Sequence, residues 1–330
     1  MKAKQIVLAS RPVGLPKESD FRYEDITLPA LKEGEVLLDP NYISVDPYMR
    51  GRMSSAKSYV DPFELDQPIS GGVVATVLES KSDKFKKGDQ VQARLPWATK
   101  IIASADELTK NIPGIPPSYF LGIVGMPGLT GYFGTTDICK PTKGETFVVS
   151  GAAGAVGTVV GQIGKLKGAK VIGIAGTQDK VDLLLNEFGF DAVINYKTEN
   201  VAEKLDEYCP DGIDCYYENV GGEITDAVMD RLNRFARIAV CGQIALYNNT
   251  EVAMGPRILP TILKTSALVK GFIVSDYMDR MEEGATQLAT WVQEGKLKYK
   301  ETFINGFENI PEAFIGLFKG TNTGKMIVKV

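Results

Sequence analysis

The residues with the clearest chemistry lie in the run Gly151-Ala152-Ala153-Gly154-Ala155-Val156-Gly157. It follows an apolar stretch at 146–150 and opens a helix-like stretch that continues to Leu166, so strand, small-residue turn and helix come in succession. Small side chains let the backbone come close to a negatively charged group and present a helix N-terminus to it, which suits a pyrophosphate. The pattern is A-x-G-x-x-G: Ala152 takes the first slot, Gly154 the second, and Gly157 lets the helix pack on the strand, with Ala155 and Val156 between them. A ribose with a free 2′-hydroxyl is usually held by an acidic residue about 20 positions further on. This chain has Gly176 there, followed by Thr177-Gln178-Asp179-Lys180. A hydroxyl, an open backbone and the Lys180 cation suit a 2′-phosphate, and Asp179 suits the dipole of a following helix. The cofactor expected from this turn is NADP(H).

The chain contains no histidine, which removes Ser-His-Asp and Cys-His dyads, H-E-x-x-H metal sites and imidazole acid–base catalysis. Any proton donor must be Tyr, Lys, Cys or a carboxyl group. A neutral phenol donates one hydrogen bond at pH 7 without a metal. Tyr247, just beyond the apolar run 237–242, falls at the carboxyl end of an expected parallel strand, where open α/β sheets place ligands. It is the first candidate. Tyr48 is the second, with a place in a β-domain core as its alternative. Arg50 and Arg52 beside it either reach an anionic group or are simply solvated, and Tyr277 lines either a substrate pocket or a dimer contact. The four cysteines, Cys139, Cys209, Cys215 and Cys241, make no C-x-x-C pair. Buried free thiols are expected, and no metal.

The elements that must position these residues change character along the chain. Residues 1–120 carry short alternating apolar runs between turn signals, as in Gly71-Gly72-Val73-Val74-Ala75-Thr76-Val77. From about 145, apolar runs at 147–149, 171–174, 192–194, 213–217, 238–240 and 269–274 alternate with helical stretches, the spacing of a doubly wound parallel sheet. The end, Lys325-Met326-Ile327-Val328-Lys329-Val330, alternates again and suits the first domain. The expected organisation is a β-rich catalytic and substrate domain, 1–120 plus 298–330, interrupted by a Rossmann dinucleotide-binding domain, 121–297. At 330 residues two cores are expected. A net charge of −4 offers no basic footprint for nucleic acid. Residues 1–10 lack a secretory pattern, and the glycine-broken stretch 119–133 is too short to span a membrane, so a cytoplasmic location with a small-molecule partner is expected.

Several segments in the same order carry a family resemblance: Val45-Asp46-Pro47-Tyr48-Met49-Arg50-Gly51-Arg52-Met53, Gly125-Met126-Pro127-Gly128-Leu129-Thr130-Gly131-Tyr132, the 152–157 turn, Tyr217-Glu218-Asn219-Val220-Gly221-Gly222, Cys241-Gly242-Gln243-Ile244, Tyr247-Asn248 and Gly324-Lys325-Met326. Over essentially its whole length the chain resembles the medium-chain dehydrogenase/reductase superfamily. Within it, the likeness is to the zinc-free branch of leukotriene B4 dehydrogenase/prostaglandin reductases, plant double-bond reductases and curcumin-reductase-like enzymes. The resemblance implies an α/β fold with a Rossmann sheet inserted in a GroES-like β-rich domain. It implies NADPH-dependent reduction of a carbon–carbon double bond conjugated to a carbonyl, in which the protein's main task is to stabilise an enolate. By the same resemblance, Lys180 and Tyr196 contact the 2′-phosphate, Met126 and Thr130 lie near the nicotinamide, Asn219, Cys241 and Asn322 are cofactor contacts, and Tyr247 sits beside the enone oxygen. A homodimer through the Rossmann domains is implied as well. Zinc-bearing members use Cys and His ligands, and this chain has no imidazole to offer. The rival readings are an NADPH quinone oxidoreductase of the same superfamily and a protein that binds NADPH without turnover.

Overall fold

The computed structural model describes residues 1–330. Its strands are β1 (Lys2–Leu8), β2 (Phe21–Thr27), β3 (Glu35–Ser44), β4 (Ser70–Ser80), β5 (Gln90–Pro96), β6 (Ile101–Ser104) and β7 (Thr109–Lys110). There follow β8 (Thr146–Val149), β9 (Lys170–Ala175), β10 (Ala192–Asn195), β11 (Ile213–Glu218), β12 (Leu232–Val240) and β13 (Leu268–Gly271). The last two are β14 (Glu301–Asn305) and β15 (Lys325–Lys329). The chain divides into two compact units, one of Met1–Leu121, Glu301–Asn322 and Met326–Val330, the other of Gly122–Lys300 and Thr323–Lys325.

The first unit is built on a sheet in the order β14-β15-β3-β4-β5-β7, with β6 also on β3 and β1 paired antiparallel with β2. Alternation decides which side chains join this core: Val73, Ala75 and Val77 of β4 are solvent-free and pack with Phe21, Trp97 and Phe314. The Phe21 and Trp97 rings stack at 6.4 Å. The chain's last strand pairs antiparallel with β3, Ile327 opposite Ser44, as its alternating sequence leads one to expect.

In the second unit, the six apolar runs form a parallel sheet in the order β10-β9-β8-β11-β12-β13. The order reverses between β8 and β11, the switch point where such sheets open a crevice. One boundary differs from the sequence reading: β13 stops at Gly271 instead of running to Val274. The Ile273 N–H donates to Asp276 Oδ2 at 3.0 Å, and two short 3-10 turns follow over Val274–Arg280 with a kink at Tyr277, so the carboxylate ends the strand early. The helix that follows the small-residue turn, Ala155–Leu166, carries Gly157, Gly161 and Gly164 on its packing side. A methyl group at 161 would lie 1.9 Å from the Phe190 ring and one at 164 would lie 2.7 Å from Phe147. Interior glycine costs about 0.5–1 kcal/mol relative to alanine. Here it lets two aromatic rings press against the helix backbone. No helix is long and apolar enough to cross a membrane.

Candidate cofactor and active site

The carboxyl ends of the parallel strands gather most of the expected site residues along one edge of the second unit. Just past β8, Gly151 adopts φ +57°, so the left-handed position of the turn is one residue earlier than the motif's first slot. Ala152 is fully buried and donates its N–H to Ile174 O at 3.0 Å. Its methyl group lies 3.1 Å from the place a side chain at Gly173 would occupy, so a glycine on the neighbouring strand makes room for the alanine. Gly154 caps the helix Ala155–Leu166, and a side chain at Gly157 would strike Gly151 O at 2.4 Å. The first turn holds no acidic residue. Its backbone N–H groups, Ala155, Val156 and Gly157 among them, have no acceptor within the helix, which makes this end a fitting place for an anion.

Beyond β9, a side chain at Gly176 would sit 2.8 Å from the ring of Tyr196, so that ring already fills the space where an acidic side chain would stand. Tyr196, just past β10, is 45% exposed. Lys180 is the third residue of the helix Gln178–Asn186 and is half-buried. Burial, reinforced by the like charge of Lys197, holds its pKa below the ordinary lysine value.

Met126 begins the helix Met126–Phe133 and is 37% exposed. The Thr130 hydroxyl donates to Met126 O at 2.7 Å, and the Tyr217 phenol donates to Thr130 O at 2.8 Å, tying this helix to β11. Past β12, burial pushes the Cys241 thiol up to about 12, and its N–H donates to Glu218 O at 2.9 Å. Tyr247 closes the short helix Ile244–Leu246. Its phenol oxygen accepts the Gln243 N–H at 3.2 Å and lies 3.0 Å from the place of a side chain at Gly242. Burial raises its pKa, so at neutral pH it is a phenol that receives one hydrogen bond and keeps its own proton to give. Tyr277 stacks on Phe133 at 4.5 Å, nearly parallel, and meets Phe272 edge-on.

Sequence reasoning passed over one carboxylate. Glu218, the last residue of β11, is 1% exposed and accepts hydrogen bonds from Ser150 Oγ at 2.9 Å, Val220 N at 2.6 Å and Gly221 N at 3.0 Å. Its other oxygen accepts the Tyr216 phenol at 2.9 Å and the Thr225 hydroxyl. Asn219 beside it donates its N–H to Ser150 Oγ and its side-chain amide to Ser150 O, both at 2.8 Å. The available signal was a charged residue closing an otherwise buried parallel strand, which needs partners to be tolerated there.

Four expected residues belong to the first unit. Tyr48 precedes the short helix Met49–Arg52, half-buried against the core, with its pKa raised by burial and by Asp46. The arginines are not solvated. Arg50 is buried and donates to Pro12 O at 3.1 Å and Gly14 O at 3.0 Å, while Arg52 donates to Asp61 O at 2.8 Å and lies over the Phe63 ring. Backbone carbonyls of nearby loops attract both guanidinium groups, so the solvated alternative is corrected. Asn322 lies at the end of the segment Glu301–Asn322 and is half-exposed.

Comparison with known proteins identifies the family. The family described as "N-terminal domain of oxidoreductase" matches residues 4–111, and the one described as "Zinc-binding dehydrogenase" matches residues 155–291. NADPH-dependent curcumin reductase of Escherichia coli (strain K12) is 45% identical over 331 residues, 98% of this chain and 96% of that protein. The NADP(+)-dependent 2-alkenal reductase of Nicotiana tabacum is 43% identical over 334 residues, 99% of this chain and 97% of that one. CurA from Vibrio vulnificus, whose crystal structure was determined in complex with NADPH, superposes with a TM-score of 0.94 at 45% identity, covering 99% of each chain. The chain belongs to the medium-chain dehydrogenase/reductase superfamily and, within it, to the zinc-free reductases that include these relatives. The second family's description names zinc, yet this chain has no histidine and no group of three or more His, Cys, Asp or Glu side chains placed to hold a metal.

Proposed function

We propose that the chain is an NADPH-dependent reductase of the carbon–carbon double bond in α,β-unsaturated ketones and aldehydes. The single observation that carries the reading is Tyr247, a neutral phenol with its proton to give, beyond the carboxyl ends of a dinucleotide-type sheet. The names of the curcumin and 2-alkenal reductases support it, and the CurA complex supports NADPH. The unit of Gly122–Lys300 and Thr323–Lys325, expected at 121–297, serves as the cofactor domain, and the unit of Met1–Leu121, Glu301–Asn322 and Met326–Val330, expected at 1–120 with 298–330, as the substrate domain.

The residues present suit NADPH. The side-chain-free positions Gly154 and Gly157 and the helix end at Ala155 and Val156 offer the close backbone approach that a pyrophosphate needs. No acid stands at 176, and Lys180 with Tyr196 beside Gly176 suits a 2′-phosphate. Ala152, Asn219, Cys241, Met126, Thr130 and Asn322 are the remaining cofactor contacts of this reading.

When bound, NADPH would supply the hydride for the substrate's β-carbon, and a proton from solvent then completes the α-carbon of the enolate. Tyr247 donates its hydrogen bond to the carbonyl oxygen, where charge builds as the enolate forms, and its raised pKa keeps it a donor throughout the neutral range. Tyr48 is the second phenol on the substrate side. Arg50 holds the segment that carries it by binding the carbonyls of Pro12 and Gly14. Tyr277 backs the helix that carries Met126 and Thr130 through its stack on Phe133.

A homodimer through the second unit is part of this reading. It is supported by β13, the edge strand of the sheet, with Leu268 51% exposed, and by the preceding helix Leu259–Thr265, which exposes Leu259 and Leu263.

The test is NADPH oxidation followed at 340 nm with trans-2-nonenal, 3-nonen-2-one, benzylideneacetone, 1,4-benzoquinone and a saturated aldehyde, with NADH in parallel. Turnover of the enal and enones to saturated carbonyls, with NADPH preferred, bears the proposal out. Turnover of the quinone alone overturns it in favour of a quinone reductase, and tight NADPH binding without turnover of any of them overturns it in favour of a binding protein.

A further inference from the structure

The five hydrogen bonds accepted by the Glu218 carboxylate exceed what a strand end requires. An apolar residue would fill the same buried place without the desolvation that a carboxylate suffers there. The donors also fall into two sets. Oε2 takes the phenol of Tyr216, on β11 itself, and the hydroxyl of Thr225, on the adjoining helix Glu223–Met229, which anchor the side chain. Oε1 takes Ser150 Oγ and the N–H groups of Val220 and Gly221, which belong to the two loops leaving β8 and β11. These strands are the neighbours at which the sheet order reverses. Ser150 immediately precedes Gly151 with its φ of +57°, and it also receives the backbone N–H of Asn219.

We propose that Glu218 is a positioning residue of the cofactor site: its buried carboxylate clamps the β8 and β11 loops together, fixing the Gly151 turn and the side chain of Asn219. The proposal rests on the reading of the second unit as an NADPH site. Its effect is on preorganisation, since a turn held in one shape before NADPH arrives loses less freedom on binding.

Four variants test it, with NADPH dissociation constants read from quenching of protein fluorescence and Tm read on the ligand-free protein. Ser150→Ala removes the bond to Oε1 together with the acceptor of the Asn219 N–H, both parts of the clamp between the two loops, and is expected to raise the NADPH Kd about tenfold. Thr225→Val removes one bond on the anchoring side and is expected to lower Tm while holding Kd within about twofold. Glu218→Ala is expected to raise Kd about 30-fold or more. Glu218→Gln, whose amide oxygen can take the Oε1 donors, restores it to within about threefold of wild type, and the KM for NADPH rises more than kcat falls in the two alanine variants. If Glu218→Ala does not fold, the Ser150 and Thr225 pair decides the matter alone. The inference is overturned if Ser150→Ala binds NADPH within twofold of wild type, or if Thr225→Val weakens binding as much as Ser150→Ala. A wild-type protein that does not bind NADPH overturns both this inference and the reading beneath it.

Discussion

The Tyr247 phenol oxygen is occupied on its acceptor side by the Gln243 N–H, and burial keeps the group protonated. Loss of one preorganised donor to a developing oxyanion typically costs 10²–10³-fold in kcat. Tyr247→Phe is therefore expected to lower kcat with 3-nonen-2-one about 100-fold while leaving the NADPH Kd within about threefold, measured at 340 nm and by fluorescence titration. Lys180 gives a second prediction with a definite sign. Only its protonated form attracts a 2′-phosphate, and its pKa lies below the usual lysine value of about 10.4. NADPH affinity should thus fall as pH rises through that lowered pKa, while NADH affinity stays flat. Lys180→Ala should remove the slope and weaken NADPH by about 1.5–3 kcal/mol, the range for hydrogen bonds to charged groups. A loss under threefold contradicts the assignment. The sequence singles out Lys180 by its place after the second parallel strand, and Tyr247 by its place beyond a strand end together with the family resemblance. It does not single out Glu218, since a carboxylate at the end of an apolar run reads equally well as the first residue of a solvated loop.

Among the elements, the helix Ala155–Leu166 shows how a motif extends beyond its three defining positions. Gly161 and Gly164 lie outside the turn, yet Phe190, just before β10, and Phe147 of β8 press on them as Gly151 O presses on Gly157. Gly161→Ala forces a methyl group into the Phe190 ring and should cost about 1–3 kcal/mol. For a domain of this size that lowers Tm by roughly 2–10 °C, detectable by circular dichroism. The six parallel runs were legible because each is a short apolar segment between turn signals. The early end of β13 was not, because Ile273 and Val274 continue the apolar pattern while the Asp276 carboxylate captures the backbone three residues upstream.

At the scale of the whole molecule, the exposed apolar residues at one sheet edge set up the remaining prediction. Light scattering after gel filtration should give twice the chain mass, and Leu263→Glu combined with Leu268→Glu should give the single-chain mass, since both side chains are more than half exposed and a charge there opposes burial. A monomeric wild type would contradict the dimer. The sequence by itself determined the succession of β-rich, parallel α/β and β-rich segments, the small-residue turn between strand and helix, the lack of imidazole and the absence of an acid at 176, because each is a matter of residue type and spacing along the chain. Only the tertiary structure decided that Gly173 makes room for Ala152, that the Tyr196 ring fills the place of a side chain at 176, that Arg50 and Arg52 serve loop carbonyls, and that Glu218 joins two loops. These are contacts between segments distant in the chain, and which atoms meet across a packed sheet depends on register and close packing, which no local pattern encodes.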